Sequence, residues 1–140
     1  MKKRQKEKCE CDCSGIARLQ VGNTIFIAII CPKCSCESSL VIFNAEDDLS
    51  FRSTRVKPSS CVSNGGGKVL IAAGEGFLTI DGQTFPTAFQ IALHEDPSSP
   101  FDLAILDFFT LDENGQIGII QNIVLLIPDQ DLKICDCPGE

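Results

Sequence analysis

Nine cysteines carry most of the distinctive chemistry in this sequence, and they fall in groups: Cys9, Cys11 and Cys13; Cys31, Cys34 and Cys36; Cys61; and Cys135 with Cys137. In an extended segment residues i and i+2 point to the same side, so the first three form a row of thiols that have poor geometry for bonding one another. Their partners must lie elsewhere. An odd total leaves at least one cysteine without a partner in its own chain. Thirteen extended residues reach roughly 45 Å at about 3.4 Å each, enough to cross to an adjacent molecule. Cys9, Cys11, Cys13, Cys135 and Cys137 are therefore the candidates for disulfides between copies. Cys31, Cys34, Cys36 and Cys61 are candidates for internal disulfides or for a metal. Cys31-Pro32-Lys33-Cys34 has CxxC spacing, and two further thiolates from Cys36, Cys61, Cys135 or Cys137 would complete a tetrahedral zinc site. Haem attachment is excluded, because neither cysteine cluster runs into a histidine.

The remaining reactive side chains are sparse. His94 is the only imidazole, at the end of an expected strand, and a nucleophilic dyad with Cys61 is its one catalytic reading; a surface histidine before an acidic turn is the simpler one. Asp102 with Asp107, or Glu46-Asp47-Asp48, are candidates for a carboxylate pair or for weak calcium binding. With no Trp or Tyr to stack a sugar, the glycosidase reading loses its main support. No G-x-S-x-G, H-E-x-x-H or phosphate-loop pattern occurs. Asn64-Gly65-Gly66-Gly67-Lys68 reads as a sharp turn. The expectation is a protein that is not an enzyme and has no cofactor, with zinc as the alternative.

The elements that must position these groups are strands. From Thr84 to His94, Phe85, Thr87, Phe89, Ile91 and Leu93 fall on one face and Thr84, Pro86, Ala88, Gln90, Ala92 and His94 on the other. Pro86 cannot donate to a ladder, which places this strand at an edge or gives it a bulge near its start. Further strands are expected at 16–21, 24–30, 40–44, 49–56, 68–73, 77–80, 103–110, 117–120, 123–127 and 132–135. Asp81-Gly82 is the strongest hairpin signal, since both residues tolerate positive φ. Nothing shows a capped helix or a helical apolar stripe. About ten short strands point to an antiparallel, jelly-roll-like β-sandwich. The division is a basic, Cys-rich arm over 1–13, the sandwich over 14–134 and a Cys-containing tail over 135–140.

Composition bounds the function. At 140 residues, 44% hydrophobic and 22% charged, the chain has a core without needing its cysteines to fold. The net charge is −7, with five cations and one acid in residues 1–8 (+4), leaving −11 for the rest. An acidic body argues against nucleic acid as a partner. The basic arm reads as a solvated tail, or as an arm that docks on an acidic neighbour such as another copy. No apolar run is long enough for a membrane helix, so no membrane insertion is expected, and the basic start lacks the apolar run of a secretory signal.

The order of parts, a short connector bearing Cys9-Glu10-Cys11-Asp12-Cys13 followed directly by a β-sandwich, resembles the self-assembling endospore appendage (Ena-type) subunits of spore-forming Firmicutes. The resemblance implies that strands of neighbouring subunits augment one another while connector cysteines, here Cys9, Cys11 and Cys13, crosslink them into a fibre. A looser likeness is to cysteine-rich spore-surface proteins, and Leu49 to Phe109 looks like bacterial extracellular β-sandwich modules. The expectation is thus a structural homo-polymer on the spore surface or outside the cell, with the strands at 24–30 and 117–127 as candidate subunit contacts. The alternative is a cytosolic zinc-binding interaction module.

Overall fold

The computed structural model describes residues 10–45, 49–64, 66–111 and 117–137. Ten strands form one antiparallel sheet: β1 (Cys13–Val21), β2 (Thr24–Ile30), β3 (Leu40–Ala45), β4 (Leu49–Val56), β5 (Ser60–Asn64), β6 (Gly67–Ile80), β7 (Gln83–Glu95), β8 (Phe101–Leu111), β9 (Ile117–Pro128) and β10 (Leu132–Asp136). The all-β expectation holds, and the described residues contain no helix beyond three short 3-10 turns.

The ladder order is β10-β1-β2-β3-β4-β6-β7-β8-β9, with β5 also on β6. Neighbours in the sheet are neighbours in sequence, apart from β10 on β1 and the step from β4 to β6. That is a meander, whereas a jelly roll interleaves its strands by Greek-key crossings. β4 and β5 lie one after the other along the fourteen-residue β6, pairing with its two halves. β9 runs antiparallel to β8 and β10 antiparallel to β1; counting reversals around the sheet, β9 and β10 run in the same sense. They are two halves of one strand, bent at Asp129–Asp131, which serves β8 first and then β1. The sheet therefore curls into a nearly closed barrel.

Alternating inward residues fill its interior. Phe26, Phe51, Phe89, Phe108, Leu70, Leu78, Ile91, Leu93, Leu106 and Ile127 are all fully buried. Phe51 meets Phe89 edge-on, with ring centroids 5.2 Å apart, and Phe108 at 4.6 Å, spacings typical of favourable ring pairs. Side chains, not solvent, occupy the centre.

Local chemistry explains the strand boundaries. Asp81 (φ 53°) and Gly82 (φ 83°) both take positive φ in the β6–β7 hairpin, as a two-residue primed turn requires. The strands expected at 68–73 and 77–80 are one, because Gly74 and Gly76 act as pressure points and not as a turn. A side chain at Gly74 would run into the Arg55 carbonyl and the Phe89 ring, and one at Gly76 into the Arg52 carbonyl and the Phe51 ring. The strands expected at 117–120 and 123–127 also join. Pro86 pairs with Phe77 of β6, while the β7–β8 ladder begins only at Ala88, so β7 is locally an edge there and the missing N–H is harmless.

Candidate assembly surface

At one pole of the barrel the cysteines converge. Glu10 bridges to Ser35, Cys11 N–H donates to the Cys34 carbonyl (3.3 Å) and Asp12 N–H to the Ser59 carbonyl (3.3 Å). These bonds lay residues 10–13 along the body. The tail comes in beside them, with Cys137 N–H donating to the Asp12 carbonyl at 2.9 Å. The outcome is three disulfides within the chain: Cys11–Cys31, Cys13–Cys61 and Cys34–Cys137, with Cα separations of 6.3, 6.1 and 5.8 Å. All are within the ordinary range for the bond. Cys36 is disulfide-bonded as well.

Several sequence expectations change here. Cys11, Cys13 and Cys137 were expected to reach other copies; instead the backbone bonds that hold residues 10–13 and 137 against the pole bring each within bonding distance of a cysteine in its own chain. Cys31, Cys34, Cys36 and Cys61 sit in disulfides and not as free thiolates, the form a zinc ligand takes. Among the described residues no three His, Cys, Asp or Glu side chains are grouped to hold a metal ion. Cys61 has no thiol to offer His94. Cys135 is the one described cysteine left free, and it is exposed on β10. Cys9 and Glu46-Asp47-Asp48 lie outside the described residues.

The disulfides grip a turn that the backbone alone disfavours. Cys31, Lys33 and Cys34 all take positive φ (55°, 56° and 64°) between β2 and β3, a region costing non-glycine residues on the order of 1 kcal/mol each. Ser39 Oγ accepts from Cys31 N–H at 2.7 Å. Below the turn, Ser59 Oγ donates to the Cys13 carbonyl at 2.6 Å, which satisfies a buried hydroxyl.

Beside this pole a groove of about 610 Å³ opens between β6, the β7–β8 turn and the end of β9, lined by Lys68, His94, Glu95, Asp96, Ser99 and Asp102 among others. Asp102 is 1% exposed. Its Oδ1 accepts from Asp96 N–H at 2.9 Å, whereas Oδ2 meets no donor. The Asp129 carboxylate is near enough to act on this group. Burial pushes the Asp102 pKa above the usual carboxylate value; the Asp96 N–H opposes this, and the charges of Asp129 and Glu95 reinforce it. Asp102 and Asp107 occupy opposite faces of β8, so they form no carboxylate pair; Asp107 accepts from Asn122 Nδ2 instead.

The second notable surface is β9. It ends the sheet order, and no strand among the described residues pairs with its outer edge. Its twelve residues, IGIIQNIVLLIP, contain no charge. Natural edge strands are normally short, charged or covered, which prevents edge-to-edge pairing. β10 and β5, the other open edges, are five residues each; β10 carries Lys133 and Asp136, and β5 reads Ser-Cys-Val-Ser-Asn. Val124 and Leu126 of β9 are 56% and 63% exposed. Two rows, apolar except for His94, run from them across the outer face: Leu126, Leu103, His94, Val69 and Val62, then Val124, Ile105, Ala92 and Ile71. The other strand singled out from sequence, β2, lies between β1 and β3 with both edges paired.

No protein-family model, no curated protein and no solved structure matches the chain.

Proposed function

We propose that this chain is a structural subunit that assembles with copies of itself into a disulfide-strengthened polymer, at the spore surface or elsewhere outside the cell. The observation that carries the reading is the outer edge of β9, long, uncharged and uncovered among the described residues where natural folds protect their edges. An open edge with a row of unpaired backbone donors and acceptors is a template for another strand. Disulfides at the pole suit an oxidising destination, since the reducing cytosol seldom keeps them. Cys135, free and exposed, is the described cysteine available to join copies covalently.

The test is the assembly state of purified oxidised protein, by negative-stain electron microscopy and non-reducing electrophoresis, for the natural chain and for Cys135→Ser. Polymers under the microscope support the proposal, as does a covalent dimer on the gel, the largest species one free thiol per chain can give, which the variant loses. A monomer at every concentration under oxidising conditions overturns it.

A further inference from the structure

Resting on the self-assembly reading, we infer that β9 pairs antiparallel with β9 of a second copy across a two-fold axis, so that a non-covalent dimer is the building unit. Length selects the partner. An open strand of twelve residues spans about 40 Å at roughly 3.4 Å per residue, and β5 or β10, at five residues each, would leave more than half of it unpaired. Another β9 matches it best: with Val124 at the axis, residues 120–128 of the two copies pair, nine of the twelve. Antiparallel pairing of a strand with itself is isologous: each contact occurs twice and the assembly closes at two.

Side-chain chemistry agrees. Directly opposed residues in an antiparallel pair share a face, so the outward set Asn122, Val124 and Leu126 meets its own copy with Val124 at or beside the axis. On the inner face, Ile123 and Leu125 pack against the core but remain partly exposed, and no described strand is paired along this edge. A second β9 brings the same two residues to cover them. The basic stretch 1–8 has the wrong chemistry for this edge, since Met1 is its one apolar side chain. The dimer also assigns a division of labour: β9 joins chains reversibly, and any longer polymer must use a different contact, of which a disulfide is the kind available.

The experiment uses the full chain carrying Cys135→Ser, which keeps the internal disulfides and removes the free thiol, with mass measured by sedimentation velocity over a hundredfold range of concentration. The expected species is a dimer that dissociates on dilution. Adding Val124→Lys and Leu126→Lys should convert it to a monomer with an unchanged far-ultraviolet circular dichroism spectrum, since both side chains are exposed. In a separate Val124→Cys version of that chain, mild oxidation should give a covalent dimer and nothing larger. A dimer that survives the two lysines, or oligomers beyond two in the Cys135→Ser chain, overturns the β9 pairing while leaving self-assembly standing. A monomeric Cys135→Ser chain alongside a natural chain that polymerises also overturns the pairing alone. Monomers for both chains remove the pairing and the self-assembly reading together.

Discussion

Cys34, in the turn between β2 and β3, is bonded to Cys137, 103 positions further along the chain. The bond ties the strained left-handed turn to the segment just beyond β10, so it connects the second hairpin to the strand that closes the barrel. Replacing both residues by serine should lower the unfolding free energy by about 2–5 kcal/mol, the usual consequence of freeing a long loop in the unfolded chain. Guanidinium titration of the oxidised protein measures this. A loss below about 1 kcal/mol would mean that the backbone bonds at the pole hold the tail without it.

Asp102 should make stability fall as pH rises. The folded chain holds its proton to higher pH than the unfolded chain, whose aspartate titrates near 3.8. Its contribution is therefore complete below that value and lost as pH climbs through the raised folded pKa. Asp102→Asn keeps an acceptor for Asp96 N–H and offers a permanent donor to Asp129. Thermal melts from pH 3 to 8 should show a flatter profile for the variant. At pH 7 it should gain on the order of 1 kcal/mol, the scale of a buried polar atom given a partner. Parallel pH profiles for the two proteins would refute this account.

Gly74→Ala should be among the most damaging single-methyl changes in the molecule, because the obstruction is the Arg55 backbone carbonyl and not a side chain that can swing away. A loss of about 1–3 kcal/mol or more is expected. Gly118→Ala is the control: a methyl there meets nothing within 4 Å, and its effect should stay within about 0.5 kcal/mol. Urea denaturation of the two variants tests the contrast.

Salt should strengthen the dimer. Residues 9–140 carry −11 and the whole chain −7, so two copies repel, and raising ionic strength shortens the reach of that repulsion to about 8 Å at 0.15 M. Sedimentation equilibrium at low and high salt should give tighter association at high salt. The opposite trend would identify charge pairs between copies as the dominant contact.

How much of this was written in the sequence depends on how local each feature is. Period-two alternation marked the inward and outward faces of β7, and Asp81-Gly82 marked its hairpin, because both are set by adjacent residues. Gly74 and Gly76 misled, since glycine reads as a turn unless the Phe51 and Phe89 rings that press on it are known. The burial of Asp102 was missed, because the strand was expected to begin at Leu103; β8 starts at Phe101, which puts Asp102 on the inward face with Ala104, Leu106 and Phe108. Ile117 to Ile127 stood out as a contact strand by its apolar content, but only the sheet order distinguishes it from the equally apolar β2, which is paired on both sides. The disulfide partners were hidden for the same reason, as Cys34 and Cys137 meet through ladders spanning the whole chain.

Because β9 and β10 are one strand shared between β8 and β1, closure of the barrel waits on a segment synthesised after all the other described strands. Until residues 132–136 emerge from the ribosome, Gly15–Ala17 have a partner strand on one side only and Cys13 and Ser14 on neither, and pairing across such a sequence separation is slow. Cys13 and Cys61 are both made well before that point, whereas Cys34 must wait for Cys137. Oxidation that outpaces translation would therefore trap early thiols in the wrong bonds, which favours a chain that leaves the ribosome reduced and acquires its disulfides only once the barrel has closed.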